Sequence, residues 1–374
     1  MPFILFISVA LAVLLGITYF CYYSFVEFFR ITSSAGRHWT LAIFIFLSLS
    51  FIFATFLARR EENIFTRAYY AASGFWLGLL INLLMASVAA WVIIWLFSLA
   101  GHKVSTASVG GILLFVALAY SVYGVWNAFH PRVTDITVNI KNLPASWNGK
   151  TVVQISDVHL GFIYKQGFLK KVVRMTNSLH PDMVVITGDL FDGMDGATPG
   201  LVAPLNDLEA PDGIYFITGN HETYLGVRKA YSILKTTKVT ILDDSLKDIR
   251  GIQLIGISYP KRGHTKNILK TIKNMPGFVP GMPTILLYHA PVMIGQAREA
   301  GVNLELCGHT HKGQIFPVNF ITHAIYKGHD YGLFKMGDYS LYVTNGVGGW
   351  GPPMRTGNTP EIVDITLQNY SSQT

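Results

Sequence analysis

The sequence predicts a chain in two parts: a transmembrane domain of four helices over residues 1–130, then an α/β domain over residues 131–374. Three observations carry this reading. Of 374 residues, 51% are hydrophobic and only 14% charged, against about 25% charged in an ordinary soluble protein. The deficit is local, because nine charged side chains fall within the first 130 residues and the other 42 within the remaining 244. The first part holds four long apolar stretches, whereas the second alternates Val- and Ile-rich runs with helical patterns. This composition excludes a disordered chain, a fibrous repeat, a small disulfide scaffold and a wholly soluble protein.

The apolar stretches cover residues 2–25, 40–58, 73–99 and 110–129, each beyond the ~18 residues at which a membrane-spanning helix becomes the default. The first lacks the basic leader of a cleavable signal, its apolar run is too long for one, and three more spans follow. The third is apolar from Ala68 to Ala100. At about 1.5 Å per residue it would reach ~50 Å against ~30 Å of hydrocarbon, so its first turn, with Tyr69 and Tyr70, is expected in the interface. Gly74 and Gly78 form a GxxxG one turn before Asn82, a pattern suited to close helix–helix contact, although glycine is common in membrane helices anyway. No charged residue lies deep in a span, which argues against an ion pathway.

Four spans place both chain ends on one side of the bilayer. Arg59, Arg60 and Arg67 on that side balance Arg30, Arg37 and Lys103 on the other, and Arg132 and Lys141 after the last span tip the count. A cytoplasmic C-terminal domain is therefore expected, in an integral protein of the cell membrane. The net charge of +7 is shared almost evenly between the two parts, with no dense basic run; a nucleic-acid partner is not expected. Cys21 lies in an apolar segment and Cys307 at the end of a buried strand, so a disulfide between them is not expected.

In the second part a polar lead-in contains a first strand at 135–140. Apolar strand candidates follow at 151–155, 183–187, 214–218, 254–257, 284–288 and 304–307, with further β-rich runs at 340–344 and 361–366. Helical patterns lie between several of them, at 168–178, 227–236 and 293–300. Buried strands separated by helices predict an α/β domain whose ligands gather at the carboxyl ends of the strands.

What stands at those ends carries the chemistry. The strands are followed in turn by Asp157-Val158-His159, Gly188-Asp189, Gly219-Asn220-His221-Glu222, His289 and Gly308-His309-Thr310-His311. In extended backbone, residues i and i+2 share a side, so Asp157 with His159, and His309 with His311, can each aim two ligands at one place. Any one motif alone reads as an ordinary turn, a helix cap or a hydrogen-bonded core histidine. Five in order, each at a strand end, read as a metal site. Carboxylate, imidazole and amide donors together suit Mn, Fe or Zn. Seven ligand candidates (Asp157, His159, Asp189, Asn220, His289, His309 and His311) exceed what one ion needs and fit two ions sharing a carboxylate, the usual clamp for displacement at phosphorus.

The ordered set DVH, GD, GNHE, YH and GHTH resembles the calcineurin-like metallophosphoesterases over essentially all of residues 135–370. The later segments 308–317 and 344–362 are similar to the membrane-anchored and exported bacterial branch, in which many members have Gly where Lys312 stands. The resemblance implies a four-layer αββα sandwich and two divalent ions. One would be held by Asp157, His159, Asp189 and His311, the other by Asp189, Asn220, His289 and His309. It further implies that His221 is not a ligand but faces the phosphate, and Glu222 either orients a neighbour or is an exposed helix-opening acid. The implied activity is metal-dependent hydrolysis of a phosphodiester, pyrophosphate or phosphomonoester by an activated hydroxide.

A lipid-linked substrate is one candidate, since the apolar segment 315–321, with Ala324, Ile325 and Tyr326, follows the GHTH loop directly. It would form either an apolar lip or core packing. The alternatives are a catalytically silent scaffold, a membrane sensor, or a phosphodiesterase of soluble nucleotides. The sequence leaves the oligomeric state open.

Overall fold

The computed structural model describes residues 2–193, 197–261 and 263–370. The chain forms two compact units, one of residues 1–126 together with Gly351–Thr356, the other of residues 127–350 and 357–374.

The first unit is built on α1 (Pro2–Phe28), α2 (Ser34–Arg60), α3 (Ile64–Leu99) and α4 (Thr106–Ala128), all long and apolar enough to cross a membrane. Side chains cap two of their starts: Ser33 accepts from Gly36 N, and Asn63 accepts from Phe65 N and Thr66 N, taking up donors a helix start leaves unpaired. Tyr70 is buried, its ring 5.1 Å from that of Phe51.

The GxxxG of α3 does not serve helix–helix packing alone. A Cβ on Gly74 would meet Phe51 of α2 at 3.4 Å but Pro353 at 3.1 Å, and one on Gly78 would meet Met354 at 3.0 Å. Gly124 of α4 faces the same methionine, whose Cγ would lie 2.6 Å from an added Cβ. Asn82 Nδ2 donates to Ser121 Oγ (2.8 Å) and to the Met354 sulfur (3.5 Å). Arg355 N donates to Gly124 O (2.9 Å) and Tyr120 Oη to Thr356 O (2.6 Å). The small residues thus open a groove for a returning loop, 272 positions away from Asn82 in sequence.

In the second unit, β1 (Arg132–Ile140), β2 (Thr151–Ile155), α5 (Gln166–Asn177), β3 (Met183–Thr187), α6 (Pro199–Val202) and β4 (Ile214–Ile217) come first. Then follow α7 (Asn220–Leu225), α8 (Val227–Leu234), β5 (Thr240–Ile241), β6 (Ser245–Ile249), β7 (Ile252–Gly256) and α9 (Ile268–Lys273). The chain closes with β8 (Thr284–Leu287), α10 (Ile294–Glu299), β9 (Leu304–Cys307), α11 (Val318–Ile325), β10 (Gly332–Met336), β11 (Tyr339–Val343) and β12 (Glu361–Asn369).

Two six-stranded sheets result, ordered β1-β12-β2-β3-β4-β5 and β10-β11-β9-β8-β7-β6. Within them β2-β3-β4-β5 and β7-β8-β9-β11 are parallel runs. Alternation along each strand builds the layers. Val152 and Val185 of one sheet join Ile285 and Leu306 of the other in a shared core. Their neighbours Val153 and Val184 turn outward onto Leu169 and Val172 of α5 and Ile233 of α8. On the far side Leu286 meets Ile268 and Ile272 of α9 and Ala297 of α10. Helices, sheet, sheet and helices make the four-layer αββα sandwich. Its parallel strands β2, β3, β4, β8 and β9 run straight into the residues singled out above.

Candidate metal centre

The seven ligand candidates and His221 converge. Three overlapping groups have ligand atoms within 4.8 Å of one another: Asp157, His159 and His311; His159, Asp189 and His221; Asp189, His289 and His309. Asn220 joins through its Oδ1, 3.2 Å from His289 Nε2.

The route to convergence differs from the extended-backbone expectation. Asp157, His159, Asp189, His309 and His311 all have left-handed backbone, with φ between 48° and 74°. This conformation is uncommon outside glycine, although Asn, Asp and His adopt it several-fold more often than other residues, and it costs of order 1–3 kcal/mol per residue, which surrounding structure must offset. Hydrogen bonds hold the loops: Asp157 N donates to Gly188 O (3.1 Å), His159 N to Asp189 O (3.0 Å), and His309 N to the Asp157 carboxylate (3.1 Å). Side chains at Gly219 and Gly308 would overlap the carboxylates of Asp189 and Asp157, so these turns admit only hydrogen there.

Glu222 is fully buried, which removes the exposed-acid alternative. Its carboxylate accepts from Gly219 N (2.7 Å), Asp189 N (2.9 Å) and Phe191 N (3.0 Å). It therefore ties the β3 loop to the β4 loop and sets the backbone of Asp189 rather than the ring of His221. Burial, followed by the nearby charge of Asp189, raises its carboxyl to about 7.

Within the cluster, carboxylates and imidazoles shift one another's titration. Burial works against ionised Asp189, yet the histidines around it, His289 foremost, hold its carboxyl well below the usual range. Reciprocally, His289 rises to about 9 despite burial, because Asp189 Oδ2 lies 3.1 Å from its Nε2. His289 Nδ1 is 2.8 Å from Thr187 O, and donation there would leave Nε2 facing the cluster. Burial and then His289 push His309 down to about 3, and burial and then His159 lower His221.

The distances test whether these residues fit metal ions. Ligand atoms about 2.1 Å from an ion stand about 3.0–3.4 Å apart in octahedral or tetrahedral geometry. His159 Nε2 and His311 Nε2 are 3.1 Å apart, His309 Nδ1 and His289 Nε2 3.2 Å, and His311 Nε2 and Asp157 Oδ1 3.4 Å. The two imidazole pairs can share a proton as N–H···N hydrogen bonds, and the same spacing suits edges of a coordination shell. The donor set fits.

A family model described as calcineurin-like phosphoesterase matches residues 150–313. A "Transmembrane protein with metallophosphoesterase domain" of Bos taurus is 32% identical over 367 residues, covering 90% of this chain and 82% of that protein. The chain belongs to the calcineurin-like phosphoesterase family. An uncharacterized metallophosphoesterase of Campylobacter jejuni is 29% identical over 344 residues, covering 87% of this chain and 88% of that one. Another from Aquifex aeolicus is 29% identical, covering 68% of this chain and 98% of its own length. That relative matches little beyond one domain, whereas the bovine and Campylobacter alignments extend over most of this chain.

Sequence reasoning missed several residues around this phosphoesterase centre. Asp192 accepts at its backbone oxygen from His221 Nδ1 (2.7 Å), and its carboxylate lies 3.6 Å from His159 Nδ1; the second acid in Gly188-Asp189-Leu190-Phe191-Asp192 was its signal. Ser156 Oγ donates to Asp157 (2.5 Å), and Asn358 Nδ2 donates to His311 O (2.7 Å). Exposed Tyr224 and Trp350 flank His221, at 5.2 and 6.3 Å between ring centres. Lys312 carries its ammonium 4.1 Å above the Tyr331 ring.

Proposed function

We propose that this phosphoesterase hydrolyses a phosphodiester, pyrophosphate or phosphomonoester with two divalent ions. Asp157, His159, Asp189 and His311 would hold one ion, and Asp189, Asn220, His289 and His309 the other. The observation that carries the proposal is the position of Asp189, whose Oδ2 is 3.1 Å from His289 Nε2 and 3.9 Å from His159 Nε2. One carboxylate thereby reaches both groups of imidazoles. Bound ions of this kind supply an activated hydroxide and take up charge on the phosphoryl oxygens.

The chain's own groups divide the remaining work. His221, with Nδ1 held on Asp192 O, presents Nε2 to the edge of the centre, 4.0 Å from Asp189 Oδ2. It would hold a proton at the leaving oxygen. Mn, Fe and Zn all suit the donor set. Purified full-length protein should retain close to two such ions per chain and hydrolyse bis(4-nitrophenyl) phosphate with added Mn²⁺. A metal-free preparation of full activity would overturn the proposal.

The same reading places α1–α4 across the cell membrane and the phosphoesterase domain in the cytoplasm. Reporters fused after Thr374 and inserted between Arg59 and Arg67 should both behave as cytoplasmic. Two exterior signals would reverse the orientation, and a disagreement would reject four spans.

A further inference from the structure

The second unit turns a cluster of large apolar side chains to water beside its candidate metal-binding residues. Phe320, Ile321 and Ile325 of α11 are 64%, 60% and 66% exposed, and Phe316 just before the helix is 38% exposed. At 100° per residue Phe320, Ile321, Ala324 and Ile325 share one face, while Thr322 on the opposite side is buried. The rings of Phe316 and Phe320 pack 5.8 Å apart edge to face and extend the same patch. Of the two arrangements the sequence allowed for this segment, Ile315 takes core packing while Phe316, Phe320 and Ile321 form an exposed face.

The face adjoins the centre at both ends of α11. The Gly313 backbone, two residues past His311, lies against Asn319 in the first turn. Tyr326 at the C-cap sets its ring edge-on to His309, 6.1 Å between centres. Lys312 stands at one end and exposed Lys327 at the other, the cationic rim that suits anionic headgroups. A contiguous apolar patch of this kind beside an open polar site marks an interaction surface.

The chain itself indicates the occupant. Only Phe129, His130 and Pro131 separate α4 from β1, a reach of about 14 Å at full extension. The domain is thereby tethered to whatever membrane α4 crosses. We propose that the exposed face of α11 seats in the membrane interface, so that the centre receives a lipid-borne phosphate ester. The substrate class is an amphiphile whose phosphate stands at headgroup level and whose tail lies along Phe316, Phe320, Ile321 and Ile325. The proposal rests on the phosphoesterase reading for its chemistry but not for its membrane contact.

The test uses the full chain in nanodiscs of phosphatidylcholine and phosphatidylglycerol. Cys21 and Cys307 are both buried, so a nitroxide can be directed to Phe320→Cys, with exposed Glu299→Cys as a control. The label at 320 should be accessible to oxygen and shielded from a nickel chelate, and the label at 299 the reverse. Equal nickel accessibility at both sites would overturn the proposal.

A second arm compares hexadecyl 4-nitrophenyl phosphate with methyl 4-nitrophenyl phosphate, which share a leaving group and differ only in the tail. Wild type should favour the hexadecyl ester in kcat/KM by about tenfold or more, and Phe320→Ser with Ile321→Ser should remove most of that preference. A wild type indifferent to the tail, or a preference untouched by the substitutions, would overturn the substrate class and leave soluble nucleotides as the better candidates. Hydrolysis of neither ester would instead defeat the phosphodiesterase reading, and the nitroxide data would then decide membrane seating alone.

Discussion

The two units bury polar groups in opposite ways. In the helical unit many are neutral and satisfied singly or in small sets: Thr18 Oγ1 donates to Ser48 Oγ (2.9 Å), Trp91 Nε1 to Ser24 Oγ (2.9 Å), Asn82 to Ser121 (2.8 Å), and one charged side chain, Arg355 of the returning loop, is fully buried beside them. In the phosphoesterase unit, Asp157, His159, Asp189, His289 and His311 are buried together, with nitrogens facing nitrogens at 3.1–3.2 Å. Helices surrounded by lipid have no water to rescue an unpaired donor, so their polar contacts must close among themselves. The strand-end cluster instead gathers carboxylates and imidazoles within reach of one another, and the binding free energy of cations held there would add to folding.

The largest effect that would sharpen this contrast is expected at Asp189. Asp189→Asn should lower hydrolysis of bis(4-nitrophenyl) phosphate by about 10³-fold or more and reduce bound metal, both read on one preparation. Loss of activity with metal content intact would mean that the carboxylate does not bridge.

Next comes His221→Ala, with an expected loss of about 10²–10⁴ in kcat and metal content near normal. The loss should shrink for leaving groups as good as nitrophenol, which need little protonation. A uniform loss would indicate a positioning role instead.

In the helical unit the corresponding lesion is steric. Gly124→Ala should lower Tm in detergent, since overpacking costs about 1–3 kcal/mol, and Met354→Ala should restore part of it by removing the obstructing sulfur arm. If Met354→Ala gives no recovery, the groove is not formed by that contact.

The smallest effect concerns Glu305, a buried carboxyl away from the centre whose partners are Tyr339 Oη (2.5 Å) and Cys307 Sγ (3.5 Å). Burial raises it to about 7, above the ordinary value near about 4.3. The folded state therefore holds the proton more tightly, and stability present below pH ~4.5 is lost as pH rises through about 7. Glu305→Gln should raise Tm by a few degrees at pH 8, with the gap closing near pH 5. An equal gap at both pH values would assign the effect to packing.

Much of this was legible in the sequence, for physical reasons that also explain what was not. The helices emerged because hydrocarbon length imposes a run of apolar residues that a composition window detects. The ligand candidates emerged because parallel strands deliver their ends to one edge, so DVH, GD, GNHE, YH and GHTH could be read as one place. The extended-strand argument reaches the right pairing for Asp157 with His159 but not for His309 with His311, which fall in different ligand groups, since the left-handed backbone found at all four leaves no trace in an Asp-Val-His or His-Thr-His string. Glu222 stayed ambiguous because burial, not identity, decides whether an acid opens a helix or ties two loops. The partner of Gly78 was beyond reach. Its pattern announces a small-residue groove but not what fills it, and a loop from the far end of the chain has no local signature.

That returning loop has a consequence for how the protein is made. Translation is vectorial, and the four helices leave the ribosome more than 200 residues before Pro352, Pro353 and Met354 do. Until then the groove along Gly74, Gly78 and Gly124 has no native filling. The helical unit is finished only when residues 351–356 have been synthesised. A product cut short at Trp350 would carry α1–α4 and still lack the residues that fill the groove between them.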